Sequence, residues 1–171
     1  LSDFNLGLMI YVASSSLFSF TGLSIGLSRK ILKSAKGLIR TEHAKIIIIY
    51  DTMETFHNYI VGNWSEIGMH DLDLVHKNLG EGEIYLASQH LYWHGCPSIY
   101  RGAIAQAQAI LSELSQIAEV YENDFSILLN YLLKIKLLTE TRHINFALGE
   151  VNEAIEFARK KGFTISLLYL F

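Results

Sequence analysis

The residues with the clearest potential for chemistry are two histidines four positions apart, His90 and His94, with the single cysteine, Cys96, just behind them. Side chains at i and i+4 share one face of a helix, so the two imidazoles could approach one metal ion together. A zinc protease also needs a glutamate beside the first histidine as its base, and this sequence has none there. We therefore favour packing and capping roles and predict no metal and no cofactor; the alternative is a helical metal-dependent hydrolase that uses His90 and His94.

The other groups that are capable of catalysis also receive structural interpretations. A lone cysteine beside a proline is typical of a small buried hydrophobe, so Cys96 is not expected to act as a nucleophile. The carboxylate pairs Glu81 with Glu83 and Glu150 with Glu153 lie on predicted helices whose opposite faces are apolar, which is typical of solvated faces. We predict no catalytic residue, and no enzymatic activity for this chain by itself.

The overall composition indicates a large apolar core and a mildly acidic surface. Half of the 171 residues are hydrophobic, one is proline, one is cysteine, and the formal net charge is -3. A single cysteine excludes a disulfide framework, and the acidic balance argues against nucleic acid as a partner. We expect a single helical-repeat domain over residues 1–171. Because the chain opens on Leu1 rather than Met, we expect a cytoplasmic fragment of a longer multidomain protein.

An uncharged stretch from Leu6 to Ser28 raises the question of a membrane span, because it exceeds the roughly 18 residues that suggest one. Serines, a threonine and three glycines dilute its apolar character. The stretch therefore predicts a buried first pair of helices, and no membrane.

A 40-residue spacing organises the chain. It separates Gly22, Gly62, Gly102 and Arg142, which we expect at equivalent turns of a helical repeat. Between these marks, apolar residues recur with the three-or-four spacing of amphipathic helices. The predicted helices are Asp3–Phe20, Leu23–Arg40, Glu42–Val61, Trp64–Leu79, Glu81–Gly95, Ser98–Tyr121, a helix capped by Asn123 or Asp124 that continues through Leu138, and Asn145–Lys161.

Local signals refine these helices. Pro97 is predicted in the turn between two of them, where its missing N–H donor costs little. The run Ile46 to Tyr50 has strand-like composition but no partner strand, so we predict it to be helical. Gly162, after a cationic last turn, is the clearest stop signal. The core is predicted to be carried by residues on faces where successive helices meet, namely Leu111, Leu114, Leu128, Leu132, Leu138, Ala147, Val151 and Ile155.

Three groups of residues carry a family resemblance: Gly62-Asn63-Trp64 with Ile67, Leu91 to Gly95 followed by Gly102 and Ala107, and Ala147 through Glu153-Ala154-Ile155 to Ala158. With the helix pairs, they resemble the tetratricopeptide-like family of helical repeats, whose usual period is about 34 residues. The resemblance implies a right-handed solenoid of antiparallel helix pairs. Such lengthened repeats are similar to the sensor regions of STAND-class signal-transduction ATPases. No Walker-type phosphate loop occurs in this sequence, so the ATPase would lie elsewhere in the parent protein.

The same resemblance implies a function as an interaction scaffold in a signal-transducing or transcription-regulating protein. In the family, the first helix of each pair lines a concave surface that binds a protein or peptide segment, or another domain of the parent chain. The residues that fall there are Gln89, Tyr92, Tyr100, Lys136 and Glu140. Ordinary packing and solvent-facing positions are the alternative for these five residues.

Overall fold

Eight α-helices make up most of the part of the chain that the computed structural model describes, residues 3–22, 24–39 and 43–163. The helices are α1 Asp3–Thr21, α2 Ile25–Lys36, α3 Ala44–Ile60, α4 Leu72–Gly80, α5 Ile84–Tyr100, α6 Ile104–Tyr121, α7 Asp124–Glu140 and α8 Ile144–Lys161. No strand occurs within these ranges, so the predicted all-α class is confirmed. Of the helices searched in these ranges, none combines the length and apolar character that a bilayer crossing requires.

The chain divides into two compact units, Leu1–His94 and Gly95–Phe171. In the first unit, α1 packs against α2 and α3, and α4 packs against α3. Its apolar core includes Val12 and Ile48, which are almost fully buried. In the second unit, α7 packs against both α6 and α8. Burial of these apolar helix faces is the main stabilising contribution in each unit.

The predicted helix Trp64–Leu79 is wrong. A short 3₁₀ turn, Trp64–Glu66, is followed by irregular chain, and α4 begins only at Leu72. The side chain of Asp71 caps this start, because its carboxylate accepts a hydrogen bond of 3.0 Å from the N–H of Leu74. A local cap therefore decides where α4 begins.

The predicted turn at Pro97 is also wrong, because α5 continues through it from Ile84 to Tyr100. Proline inside a helix removes one backbone hydrogen bond and costs about 3 kcal/mol. Close packing at the same point offsets this cost. Gly95 lies so near α7 that a Cβ there would stand 2.7 Å from a methyl carbon of Leu133. The two helices approach each other where the side chain is smallest.

Five of the described helices end in the same way, with a residue of positive φ whose successor donates a backbone hydrogen bond to the carbonyl five positions earlier. Those bonds are 2.8–2.9 Å long. The φ angles are 78° at Gly62, 80° at Gly82, 73° at Gly102, 62° at Arg142 and 77° at Gly162. Gly22, with φ 67°, also follows a helix. All four residues that were expected at equivalent turns therefore have the left-handed conformation.

The predicted core is partly confirmed. Leu114, Leu128 and Ala147 are buried, whereas five of the expected core residues are only partly buried: Leu111, Leu132, Leu138, Val151 and Ile155. On α7, the buried positions are instead Leu133 and Leu137. Neighbouring helix residues point about 100° apart, so an error of one residue turns the predicted face away from the core.

Candidate functional site

The structure brings Asp51 of α3 to the two histidines of α5. Oδ2 of Asp51 lies 2.7 Å from Nε2 of His94 and 3.2 Å from Nδ1 of His90. The two imidazole rings have centroids 4.4 Å apart, so they do share a helix face. One ligand atom from each of the three residues lies within 4.8 Å of the others. Cys96, which lies close to the histidines in sequence, is not a member of this Asp-His-His cluster.

The cluster is closed on one side and open on the other. The side chains of His90 and His94 are 1% and 2% exposed, whereas that of Asp51 is 39% exposed. The carboxylate therefore stands between the buried imidazoles and solvent.

Thr55 lies one turn beyond Asp51 on α3 and faces the same imidazole. Its Oγ1 is 3.2 Å from Nε2 of His94. Residues at i and i+4 share a helix face, which is why one helix presents both the carboxylate and the hydroxyl. The position and orientation of His94 are thus set by two polar groups of α3.

Burial and neighbouring charges set the protonation of the cluster. Desolvation, followed by the influence of His94, lowers the pKa of His90 to about 3, so its imidazole is neutral at pH 7. Burial acts to raise the pKa of Asp51, but the hydrogen bond with His94 and the electrostatic influence of His94 and His90 outweigh it, and the pKa lies below its usual value. A neutral imidazole beside an ionised carboxylate is the protonation state in which these groups bind metals.

His90 is the least satisfied member of the cluster. Both of its ring nitrogens are buried, and neither has a hydrogen-bond partner among the described residues, although Nδ1 lies close to Asp51. A buried polar group without a hydrogen bond costs about 1–3 kcal/mol. The packing role that the sequence favoured for His90 gives its two nitrogens no such partner.

A second polar cluster joins the first three helices. Nδ1 of His57 on α3 lies 2.9 Å from the hydroxyls of both Ser19 on α1 and Ser28 on α2, which are 2.7 Å from each other. All three side chains are buried. A serine hydrolase needs an accessible hydroxyl and a carboxylate on the far nitrogen, and Nε2 of His57 has no hydrogen-bond partner in the described chain. We interpret this cluster as structural.

An apolar groove of about 390 Å³ is formed by residues of α1, α3 and α5 in the first unit. Gln89, one of the predicted partner-binding residues, lines it and donates a hydrogen bond of 3.1 Å to the hydroxyl of Tyr85. Every lining residue belongs to α1, α3 or α5: Leu6, Met9, Ile10, Ala13, Ser16, Ile49, Thr52, Met53, Tyr85, Leu86 and Gln89. We call these residues the odd-helix groove.

The other predicted partner-binding residues have different surroundings. Tyr92 is only 8% exposed and packs edge-on against Trp93, so it offers little surface to a partner. In the second unit, Nζ of Lys136 donates a hydrogen bond of 3.2 Å to the hydroxyl of Tyr100 and lies 5.1 Å from its ring centre. Glu140 is exposed one turn later on α7. Partner binding by Tyr100, Lys136 and Glu140 stays a prediction.

The predicted carboxylate faces are correct in part. Glu81 and Glu153 are exposed, as expected of solvated helix faces. Glu83 is instead half-buried and pairs with Lys45 of α3, while Glu150 pairs with Lys134 of α7. These two acids tie neighbouring helices together, and only the fold identifies their partners.

The sequence contains a signal for the imidazole pair but none for Asp51. His90 and His94 are four residues apart, whereas Asp51 is 43 residues from His94. Many acidic residues lie at such distances along the chain, so spacing alone does not select one. Comparison with known proteins adds no further candidate: no protein-family model, no curated protein and no solved structure matches this chain.

Proposed function

We propose that this chain is an interaction scaffold, a right-handed solenoid of antiparallel helix pairs that holds a protein segment in the odd-helix groove. The observation that carries the proposal is the composition of the groove walls. They come from α1, α3 and α5 only, which are the first helices of the predicted pairs. In tetratricopeptide-like stacks, the first helices form the concave, binding side.

Two further observations support a repeat with a period of about 40 residues. Positive φ angles occur at Gly22 and then at 20-residue intervals from Gly62 to Gly162, a series that includes Glu122 with φ 47°. This is the spacing expected for one helix and one turn. In the first unit, α1 packs against α3 as well as against α2. Contact between next-but-one helices is typical of stacked helix pairs.

The groove favours an amphipathic helical segment as its occupant. Its walls are mainly apolar, with methionines at Met9 and Met53 that adapt their shape to a ligand. Ser16, Thr52 and Gln89 add a few polar groups that can set orientation. A groove of this kind contacts apolar side chains at positions i, i+3 or i+4, and i+7 of the bound helix. In a signal-transducing ATPase, a bound segment would change the state of an attached module if the segment bound one arrangement of the repeats more tightly than another.

A display library of amphipathic helical peptides tests this proposal. We expect the protein to select peptides with regularly spaced apolar residues, and we expect Met53→Lys to weaken their binding by at least about tenfold, or 1.4 kcal/mol, because it adds a charge to an apolar wall. Met69→Lys is the matched control, since Met69 is 79% exposed and lies outside the groove. If the selected peptides bind the Met53→Lys variant as tightly as the original protein, the proposal is contradicted.

The metal-dependent hydrolase remains the second candidate, because Asp51 supplies the third ligand that the sequence lacked. It predicts metal-dependent turnover of an ester or phosphodiester that Asp51→Asn abolishes. The scaffold predicts no turnover with or without metal. Assays of the metal-loaded protein on these two substrate classes separate the two functions.

A further inference from the structure

We propose that Asp51, His90 and His94 bind one divalent transition-metal ion of the Zn²⁺ type. The three donor atoms already lie within 4.8 Å of one another, on two helices that are both well formed. The proposal is independent of the scaffold function, because it rests on different residues. Loss of metal binding would leave the groove proposal intact.

The donor set selects the class of ion. Two imidazole nitrogens and one carboxylate oxygen suit Zn²⁺, Co²⁺, Ni²⁺ or Fe²⁺, whereas Mg²⁺ and Ca²⁺ prefer sites built wholly from oxygen. Three protein ligands leave a fourth position of a tetrahedral ion to water or a ligand. The exposed side of Asp51 is the place where such a position would open to solvent.

Two of the three distances between ligand atoms are close to those of a metal site. Ligand atoms held about 2.0–2.1 Å from a tetrahedral ion are about 3.3 Å apart. Nδ1 of His90 is 3.2 Å from Oδ2 of Asp51, and Nε2 of His94 is 2.7 Å from the same oxygen. The ligand atoms of the two histidines lie within 4.8 Å of each other and would have to close by up to about 1.5 Å, while spreading the closer pair requires a shift of about half an ångström. Asp51 is partly exposed and therefore has room to make that shift.

The unsatisfied imidazole of His90 is the second observation that points to a ligand. Its side chain is 1% exposed, and the described chain supplies neither ring nitrogen with a hydrogen-bond partner. A bond from one nitrogen to a metal ion replaces the missing hydrogen bond at that atom. Burial of the His90 imidazole without a hydrogen bond is otherwise a cost.

A bound ion would also join two walls of the odd-helix groove. Asp51 directly precedes Thr52 in sequence, and His90 directly follows Gln89. Thr52 and Gln89 both line the groove. The ion would link α3 to α5 at that level. The ion would therefore hold together two helices that also form the groove.

Zn²⁺ titration by calorimetry, together with Co²⁺ absorption spectroscopy on untagged protein stripped with a chelator, tests the proposal. We expect one ion per chain and the intense visible absorption of a low-coordinate Co²⁺ site. Asp51→Asn, His90→Gln and His94→Gln should each weaken Zn²⁺ binding by at least about 100-fold, because removing a ligand should cost no less than removing its outer-shell partner. Excess Mg²⁺ should not displace the ion.

His76→Gln is the matched control, because His76 is an exposed histidine of the same unit and lies outside the cluster. It should bind Zn²⁺ as the original protein does. Circular dichroism checks that each variant is folded. If a buried histidine variant fails to fold, Asp51→Asn decides the test, since its side chain is partly exposed and keeps its shape. Binding that is absent, or that survives Asp51→Asn unchanged, would overturn the proposal.

Discussion

The two units differ in what they bury. Within the described chain, the first unit buries ten polar side chains, Ser15, Ser19, Ser28, Thr52, Thr55, His57, Asn78, Ser88, His90 and His94, while the second buries two, Ser98 and Ser126. Buried polar groups are costly unless they find partners, so an interior made only for stability contains few of them. The buried groups that could take part in chemistry therefore lie mostly in the first unit, whereas the interior of the second unit is mainly apolar.

The apolar interior of the second unit gives the largest expected effect. Leu133 is fully buried and packs against Gly95, so Leu133→Ala should lower the free energy of unfolding by about 2–5 kcal/mol. Leu148→Ala is the control, because that side chain is 58% exposed and its loss should change stability by less than about 0.5 kcal/mol. Urea denaturation measures both, and equal effects would show that α7 does not form the core of this unit.

The polar interior of the first unit should show a different signature, a dependence on pH. His57→Ala should cost about 1–3 kcal/mol at pH 7, because it leaves the buried hydroxyls of Ser19 and Ser28 without the imidazole. Burial, followed by the charge of Arg29, lowers the pKa of His57 below its ordinary 6.5.

The sign of the pH effect follows from proton binding. Below about pH 6.5, the unfolded chain protonates His57 more readily than the folded one does, so stability falls as the pH decreases through this range. We expect the cost of His57→Ala, measured by denaturation, to be smaller at pH 5 than at pH 7. A cost that stays constant or grows on acidification would show that His57 is not held in its neutral form.

The smallest expected effects concern the helix ends that both units share. Arg142→Gly should stabilise the protein by about 0.5–1 kcal/mol, because it relieves a left-handed conformation at φ 62° and this gain exceeds the added freedom of the unfolded chain. Gly102→Ala should destabilise it by about 1 kcal/mol, since φ is 73° there and no neighbour crowds the position. Melting temperatures of the two variants should move in opposite directions, and shifts of the same sign would contradict this account.

Local sequence signals account for much of the helix pattern. Asn123 accepts hydrogen bonds from the N–H groups of Phe125 and Ser126 and begins α7 as expected. Gly162 ends α8 after a cationic turn, also as expected. These devices act over a few residues, so their effect can be derived from a short window of sequence. The same reasoning failed at Pro97, where packing of α5 outweighs the local preference of proline.

The helical class, the left-handed helix ends and the pairing of His90 with His94 on one face follow from the residues alone, because each depends on backbone preferences or on helical spacing within one element. The arrival of Asp51 beside that pair, and the choice of Leu133 rather than Leu132 as a core residue, depend on how one helix packs against another. Packing is a property of side chains that are far apart in sequence, and no local spacing encodes it. The candidate metal centre is therefore a product of the tertiary fold.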